Sequence, residues 1–203
     1  MSRLGKLPIE LPKGVEIQVQ RVDKSDERTR ALNQNRASGD NLDTKIVLVK
    51  GPKGELKRSL PSFIDVTIED RLLLVKPNRE LTSKFERAMW GTVRSHLNNM
   101  VIGVSRGWEK QLEINGIGYV FKLSGSILSI SCGYSHDVLV RVPEGITCVV
   151  DKNILRISGY DKEAVGNFAG KVLAVRKADV YLGKGIKYVG QTIRRKAGKS
   201  VKK

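Results

Sequence analysis

Apolar positions along the chain follow two rhythms. Short alternating runs rich in β-branched residues come first: "KIVLVKG" (45–51), "DVTIED" (65–70) and "RLLLV" (71–75). A second group follows as "YVFKLSGSILSISCG" (119–133), "DVLVRVP" (137–143), "ITCVVD" (146–151) and "NILRIS" (153–158). Alternation over four to seven residues predicts strands. Links as short as "LSGSI" and "EDR" allow only antiparallel pairing, because a parallel crossover needs a dozen residues or more. After each group the rhythm changes to three- and four-residue spacing, which predicts a helix. The first helix takes Leu81, Phe85, Ala88, Met89, Thr92, His96, Leu97, Met100 and Val101 as its stripe, with Asn78 as N-cap. The second takes Val165, Phe168, Ala169, Val172 and Leu173, with Asp161 near its start.

The two groups are copies of one another. A shift of 82 residues lays Gly51 on Gly133, Pro61 on Pro143, Ile64 on Ile146 and Leu73 on Leu155. It also lays Val93 on Val175 and Arg94 on Arg176. A constant register over so long a stretch reads as duplication. The expected fold is α+β: two tandem, duplicated small domains, each an antiparallel sheet with one covering helix. The boundary falls at "VSRGW", giving domains at 1–106 and 107–203. One insertion separates the copies. "YVFKL" reaches "ILSIS" through three residues, whereas "VEIQV" reaches "KIVLV" through Gln20 to Thr44. That polar, charge-balanced segment reads as an extended hairpin tip or loop, with one helical turn conceivable in "DERTRALNQNR".

Charge changes the picture from architecture to partner. Lys plus Arg is 37 against 21 acidic residues, a net charge of +16. Such an excess points to a polyanion. No acidic residue follows Asp179, while Lys184, Lys187, Arg194, Arg195, Lys196, Lys199, Lys202 and Lys203 do. Gly183, Gly185 and Gly190 allow this stretch to bend and approach a surface. Tyr181 and Tyr188 can stack or pack. With 5% aromatics the chain has no broad base-stacking platform, so phosphate positioning is the expected mode. "IKYVGQTIRR" reads as strand-like, and removal of residues 181–203 is expected to leave both domains folded.

Other chemistries fail on their residues. The terminal "GKS" resembles the end of a nucleotide-binding loop, but Ile193 stands where the first glycine belongs and too few residues follow for a helix. "GIGYVF" lacks the third glycine of a dinucleotide fingerprint, and "GPKGE" reads as a hairpin loop, with Lys53 within reach of a phosphate as the alternative. Ser135, His136 and Asp137 are consecutive, and neighbours on a strand point apart, so they form no catalytic triad. Cys132, Cys148, His96 and His136 do not have zinc-site spacing, and the cysteines read as core residues. No cofactor, metal or small-molecule substrate is expected. No apolar run approaches the ~20 residues of a membrane helix.

The residues also carry a resemblance. "MSRLGKLPIELPKGV", "VKGPKGEL", "WGTVRSHLNNMVIGVSRG", "INGIGYVFKL", "GYSHDV" and "YLGKGIKY" occur in the order seen in the large-subunit ribosomal protein six family, bacterial and organellar branch. The resemblance implies two duplicated α+β domains and a structural, non-enzymatic role in the large ribosomal subunit. The implied partners are neighbouring ribosomal proteins and large-subunit rRNA near the sarcin–ricin loop and factor-binding region. It places the protein on a ribosome in the bacterial cytoplasm or in an organelle. Expected rRNA contacts are Tyr181, Gly183, Lys184, Gly185, Lys187, Tyr188, Arg194, Arg195, Lys196 and Lys199, with Arg3 and Lys6 as a smaller N-terminal patch. The family's loop usually reads Tyr-Lys-Gly-Lys-Gly, and here Leu182 replaces the first lysine. "RKADV" stands in place of the family's proline-rich lead-in. The rival reading is a free RNA-binding architectural or chaperone protein, which would not co-sediment with large subunits at high salt.

Overall fold

The computed structural model describes residues 3–21 and 45–198. The chain forms two compact units, Met1–Arg106 and Gly107–Lys203. Among the described residues both are antiparallel sheet structures with one helix each, the α+β duplication read from the sequence. Each unit divides its strands between two sheets rather than placing them in one.

In the first unit, β1 (Ile9–Glu10), β6 (Leu72–Pro77) and β5 (Ile64–Glu69) form one sheet in that order. The other holds β2 (Glu16–Arg21), β3 (Lys45–Gly51) and β4 (Gly54–Leu60). Helix α1 spans Lys84–Ser105. In the second unit, β11 (Ile146–Asp151), β12 (Ile154–Gly159), β7 (Trp108–Asn115) and β13 (Gly185–Tyr188) form a four-stranded sheet. Beside it lie β10 (Val138–Arg141), β9 (Ile127–Ser131) and β8 (Val120–Ser124), with helix α2 at Lys162–Val175. The 82-residue register maps β5 onto β11 and β6 onto β12 residue for residue. The hairpin turn between β5 and β6 bends at Asp70 and Arg71, both with positive φ, as a two-residue connection requires.

The register stops at the helices. Val93 sits mid-helix and buried, whereas Val175 is the last residue of α2 and Arg176 its C-cap. Asn78 does not cap α1. Its side chain donates to the Ser62 carbonyl at 2.8 Å, and its N–H to that of Phe63. Ser83 is the cap: its Oγ accepts from Phe85 N–H at 3.2 Å, and Glu86 reaches back to the Ser83 N–H. The buried stripe of α1 runs through Trp90, Val93, Leu97, Met100, Val101 and Val104, so Phe85, five residues before Trp90, falls on the outer side and is 68% exposed; Ala88 and Thr92 of the expected stripe are exposed too. Asp161 is the N-cap of α2, accepting from Glu163 N–H.

Each unit has its own core. The first gathers Val47, Val49, Leu60, Ile64 and Leu73 under Trp90, Val93 and Leu97 of α1. Gly5 lies against the Trp90 ring, where a Cβ would stand 2.6 Å from the ring. The second packs Leu112, Ile114, Leu155, Ile157 and Ile186 against Val165, Phe168 and Val172 of α2. Cys132 and Cys148 are buried and unlinked, and burial pushes the Cys148 thiol up to about 11.

The insertion expected at about 20–44 begins inside β2, since Gln20 and Arg21 pair with Ile46 and Lys45. The rest of it, 22–44, lies outside the described residues.

Candidate nucleic-acid interface

The basic segment after α2 is built into the second unit. Arg176 leaves the helix in extended conformation, and its carbonyl accepts from Ile186 N–H at 2.8 Å. Ala178 N–H returns the bond to Ile186 O at 3.1 Å, so the chain enters and leaves the loop side by side. The loop then runs from Asp179 to Lys184. Asp179 N–H bonds to Lys184 O at 2.8 Å, and Gly183 N–H to Asp179 O at 2.9 Å. The Asp179 carboxylate accepts from the N–H groups of Leu182 (2.9 Å) and Tyr181 (3.2 Å). Those donors, Leu182 first, hold its carboxyl below the ordinary aspartate range, and the Arg176 charge adds to the effect.

Beyond the loop, β13 pairs with β7 and drives Ile186 into the core. Residues 181–198 are therefore not a detachable tail, so the expected harmless removal of 181–203 does not hold. Their removal would strip Ile186 and Tyr188 from the core and leave the β7 edge unpaired. The strand ends at Tyr188, where Gln191 N–H bonds back to the Tyr188 carbonyl at 3.0 Å. Residues 191–198 have no strand pairing, contrary to the strand-like pattern of "QTIRR". They return over the loop, with Lys196 N–H bonded to Val180 O at 3.0 Å. The Arg195 guanidinium lies over Gly183, 3.0 Å from where a Cβ would stand.

This geometry sorts the expected contacts. Tyr181, Lys184, Arg194, Arg195 and Lys196 are exposed on the loop and the returning segment. Gly185 is buried, with φ +125°, and its missing side chain admits the Lys177 carbonyl. Lys187 is not a free cation. Its Nζ is 2.8 Å from Glu113 Oε1, and both side chains are about a quarter exposed or less (22% and 24%). That bond lowers the Glu113 pKa. Tyr188 packs on the core, with the Lys110 ammonium 5.4 Å from its ring centre. Arg3 and Lys6 are exposed in the turn ahead of β1, in the other unit. Lys199 lies outside the described residues.

Sequence reasoning missed the residues that shape the loop. Asp179 reads as the last acid of the chain, yet it works as a turn former whose carboxylate ties down the tip. Its position three residues before Leu182 is the available signal. Arg176 and Lys177 add exposed cations at the loop base, and the Arg176 guanidinium lies 5.3 Å from the Tyr134 ring centre. The Ser135-His136-Asp137 run is a turn. Asp137 accepts from Ser131 (2.7 Å) and Ser129 (3.0 Å), and its carboxyl titrates below the ordinary range for that reason. Among the described residues no cluster of three metal-ligating side chains occurs.

Known proteins identify the lineage. The model of the ribosomal protein L6 family matches the chain twice, over residues 34–107 and 115–189. The chain belongs to the ribosomal protein L6 family. The two matches give one L6 repeat to each unit. The L6 relatives include large ribosomal subunit protein uL6 of Synechococcus sp. strain CC9311, 45% identical over 204 residues and all of both chains. Protein uL6c of Guillardia theta is 42% identical over 204 residues, again all of both chains. Protein uL6 of Syntrophobacter fumaroxidans is 40% identical over 200 residues, 98% of each chain.

Proposed function

We propose that this chain is a structural constituent of the large ribosomal subunit, on a bacterial or organellar ribosome. In this reading it holds large-subunit rRNA through the loop Val180–Lys184 and the returning segment 191–198. Full-length similarity to large-subunit proteins supports the assembly. The observation that carries the RNA contact is the tied loop, which projects Lys184 beside Arg194, Arg195 and Lys196 with no unengaged carboxylate in the segment. Asp179, the one acid there, is consumed by backbone N–H groups. Lysine supplies point charge to phosphates, and arginine supplies planar, multi-donor contacts. Lys187 is retained as a shaping residue, because Glu113 already neutralises it. Arg3 and Lys6 serve as the lesser patch, and Lys199 extends the cationic segment. The sarcin–ricin and factor-binding region is the site on the subunit that the family resemblance implies. Charge neutralisation and shape fit would keep rRNA helices in place for translation, alongside neighbouring ribosomal proteins.

The test is co-sedimentation with large subunits through sucrose gradients at high salt. A constituent stays with the particle, and a free RNA chaperone is stripped from it. Purified large-subunit rRNA then tests the site. Neutralising Lys184 and Arg194 together should shallow the log–log salt slope by up to about 1.8, at ~0.9 per duplex phosphate. An unchanged slope would remove both residues from the interface.

A further inference from the structure

The turn after β9 supports a cation that the rRNA contact described above does not use. Tyr134 stands in the turn 132–136, and its hydroxyl donates to the carbonyl of Val175, the last residue of α2, at 3.0 Å. The turn is braced from two sides. Asp137 accepts from Ser131 at 2.7 Å and from Ser129 at 3.0 Å. Beneath it, the Tyr119 hydroxyl lies 3.0 Å from where a Cβ on Gly133 would stand. Against the Tyr134 ring rests Arg176, the C-cap of α2, its guanidinium carbon 5.3 Å from the ring centre. That distance is within the reach of a cation–π contact.

Backbone pairing puts this stack at the neck of the loop. The Arg176 carbonyl accepts from Ile186 N–H at 2.8 Å, and Lys184 lies two residues before Ile186. Arg176 is exposed, and among the described residues it forms no ion pair. Its charge acts on the Asp179 carboxyl, but that carboxylate is held by the N–H groups of Leu182 and Tyr181. Lys187, by contrast, is neutralised by Glu113. The helix end makes no demand on the guanidinium either, since Tyr134 already satisfies the Val175 carbonyl. Hydrogen bonding to the Tyr134 phenol raises the Arg176 pKa, and a guanidinium has more N–H donors than this contact uses. Stacking holds the group in one plane, so less side-chain freedom is lost when it forms paired hydrogen bonds. A phosphodiester, whose two non-bridging oxygens share one negative charge, matches such a fork.

We propose that Arg176 binds a phosphodiester of the rRNA at the neck of the loop, and that Tyr134 is its positioning residue. The proposal rests on the rRNA reading above and adds a contact outside the loop tip and the returning segment. It also gives the turn 132–136 a function, as the support of that contact.

Full-length protein is titrated with purified Synechococcus large-subunit rRNA across a salt series, because cation–phosphate contacts release counterions. Arg176→Gln should weaken binding about ten- to a hundredfold at low salt and shallow the log–log slope by up to ~0.9. Arg176→Lys should keep the parent slope yet bind more weakly than the parent, because a point charge replaces the fork. Tyr134→Leu should cost about two- to fivefold in the parent and nothing in an Arg176→Gln background, since its effect passes through the guanidinium. Urea midpoints should stay near that of the parent, as both side chains lie at the surface. Lys184→Gln is the reference for the loop itself. A parent slope in Arg176→Gln, with a shallower one in Lys184→Gln, overturns the proposal and leaves the rRNA reading standing. Equal losses from Tyr134→Leu in both backgrounds overturn the positioning role. A lowered urea midpoint with an unchanged salt slope assigns both residues to the end of α2 and overturns the contact. If neither Arg176→Gln nor Lys184→Gln moves the slope, or the parent chain does not bind, the rRNA reading falls and this proposal with it.

Discussion

Gly185 is the residue on which the loop depends, and its replacement by alanine has a separable cost. Its φ of +125° disfavours any L-residue by about 1–2 kcal/mol. The added Cβ would also stand 2.7 Å from Lys177 O and 2.8 Å from Ala178 Cα. Those are backbone atoms fixed by the Ala178–Ile186 and Ile186–Arg176 hydrogen bonds, so they cannot yield without breaking the start of β13. Overpacking of that kind adds about 1–3 kcal/mol. Gly190 supplies the control. Its φ is +81°, and a Cβ there meets nothing within 4 Å, so Gly190→Ala carries the conformational term alone. Gly185→Ala should thus destabilise the second unit by about 2–5 kcal/mol and Gly190→Ala by about 1–2 kcal/mol. The chain has two tryptophans, Trp90 in the first unit and Trp108 in the second. In a Trp90→Phe background, fluorescence-detected urea unfolding therefore reports on the second unit. Equal midpoints for the two alanine variants would refute the close backbone approach. rRNA affinity should fall in Gly185→Ala, since the loop loses its anchor.

Three further outcomes follow from the geometry. Trp90→Phe removes a buried bond from Nε1–H to the Val75 carbonyl, 2.9 Å long, and leaves that carbonyl unsatisfied. It should destabilise the first unit by about 1–3 kcal/mol, seen as a lower denaturant midpoint with unchanged slope. Glu113→Gln should remove about 1 kcal/mol or less at neutral pH. Because the folded-state pKa of Glu113 is depressed, its contribution is present above the ordinary carboxylate pKa and lost as pH falls through the folded value. The stability gap between parent and Glu113→Gln should therefore close in acid, and a gap constant down to the acid limit would contradict the pairing. Asp179→Ala should accelerate amide hydrogen exchange at Tyr181 and Leu182, whose N–H groups lose their acceptor, while the global unfolding midpoint moves little.

The strands that were legible were those whose apolar residues stand out. "DVTIED" and "NILRIS" alternate or cluster cleanly, and the structure makes them β5 and β12. Strand β4 and strand β7 were hidden, because "GELKRSL" and "WEKQLEIN" carry a charged residue at nearly every outward position. Only Leu56 and Leu60 in one, and Leu112 and Ile114 in the other, betray the inward face. The helix start was misread for a different reason. Asn78 has cap chemistry, but it serves the turn after β6, and the S-x-x-E signature at Ser83 and Glu86 decides the start. In the candidate site, charge segregation pointed to the right stretch of chain but not to its internal order. Whether Lys187 is available or neutralised depends on Glu113, seventy-odd positions away and brought opposite it by strand pairing.

That pairing also explains why the two copies differ in use. By the duplicated order, β7 takes in the second unit the place that β1 takes in the first, beside β12 and β6 respectively. Strand β1 is two residues long and forms the edge of its sheet. Strand β7 has eight residues, and its outer edge accepts β13. A short edge offers too few free N–H and C=O groups to hold an added segment, whereas a long one is a template for it. The extension after α2 could thus be fixed only in the second copy. Once β13 is docked through Ile186, the residues before it must close a loop, and those after it must turn at Gln191 and come back. The cationic surface is therefore a consequence of strand addition at an edge. Its charges are placed by backbone pairing rather than by side-chain contacts of their own, which leaves Lys184, Arg194 and Lys196 exposed for an external partner.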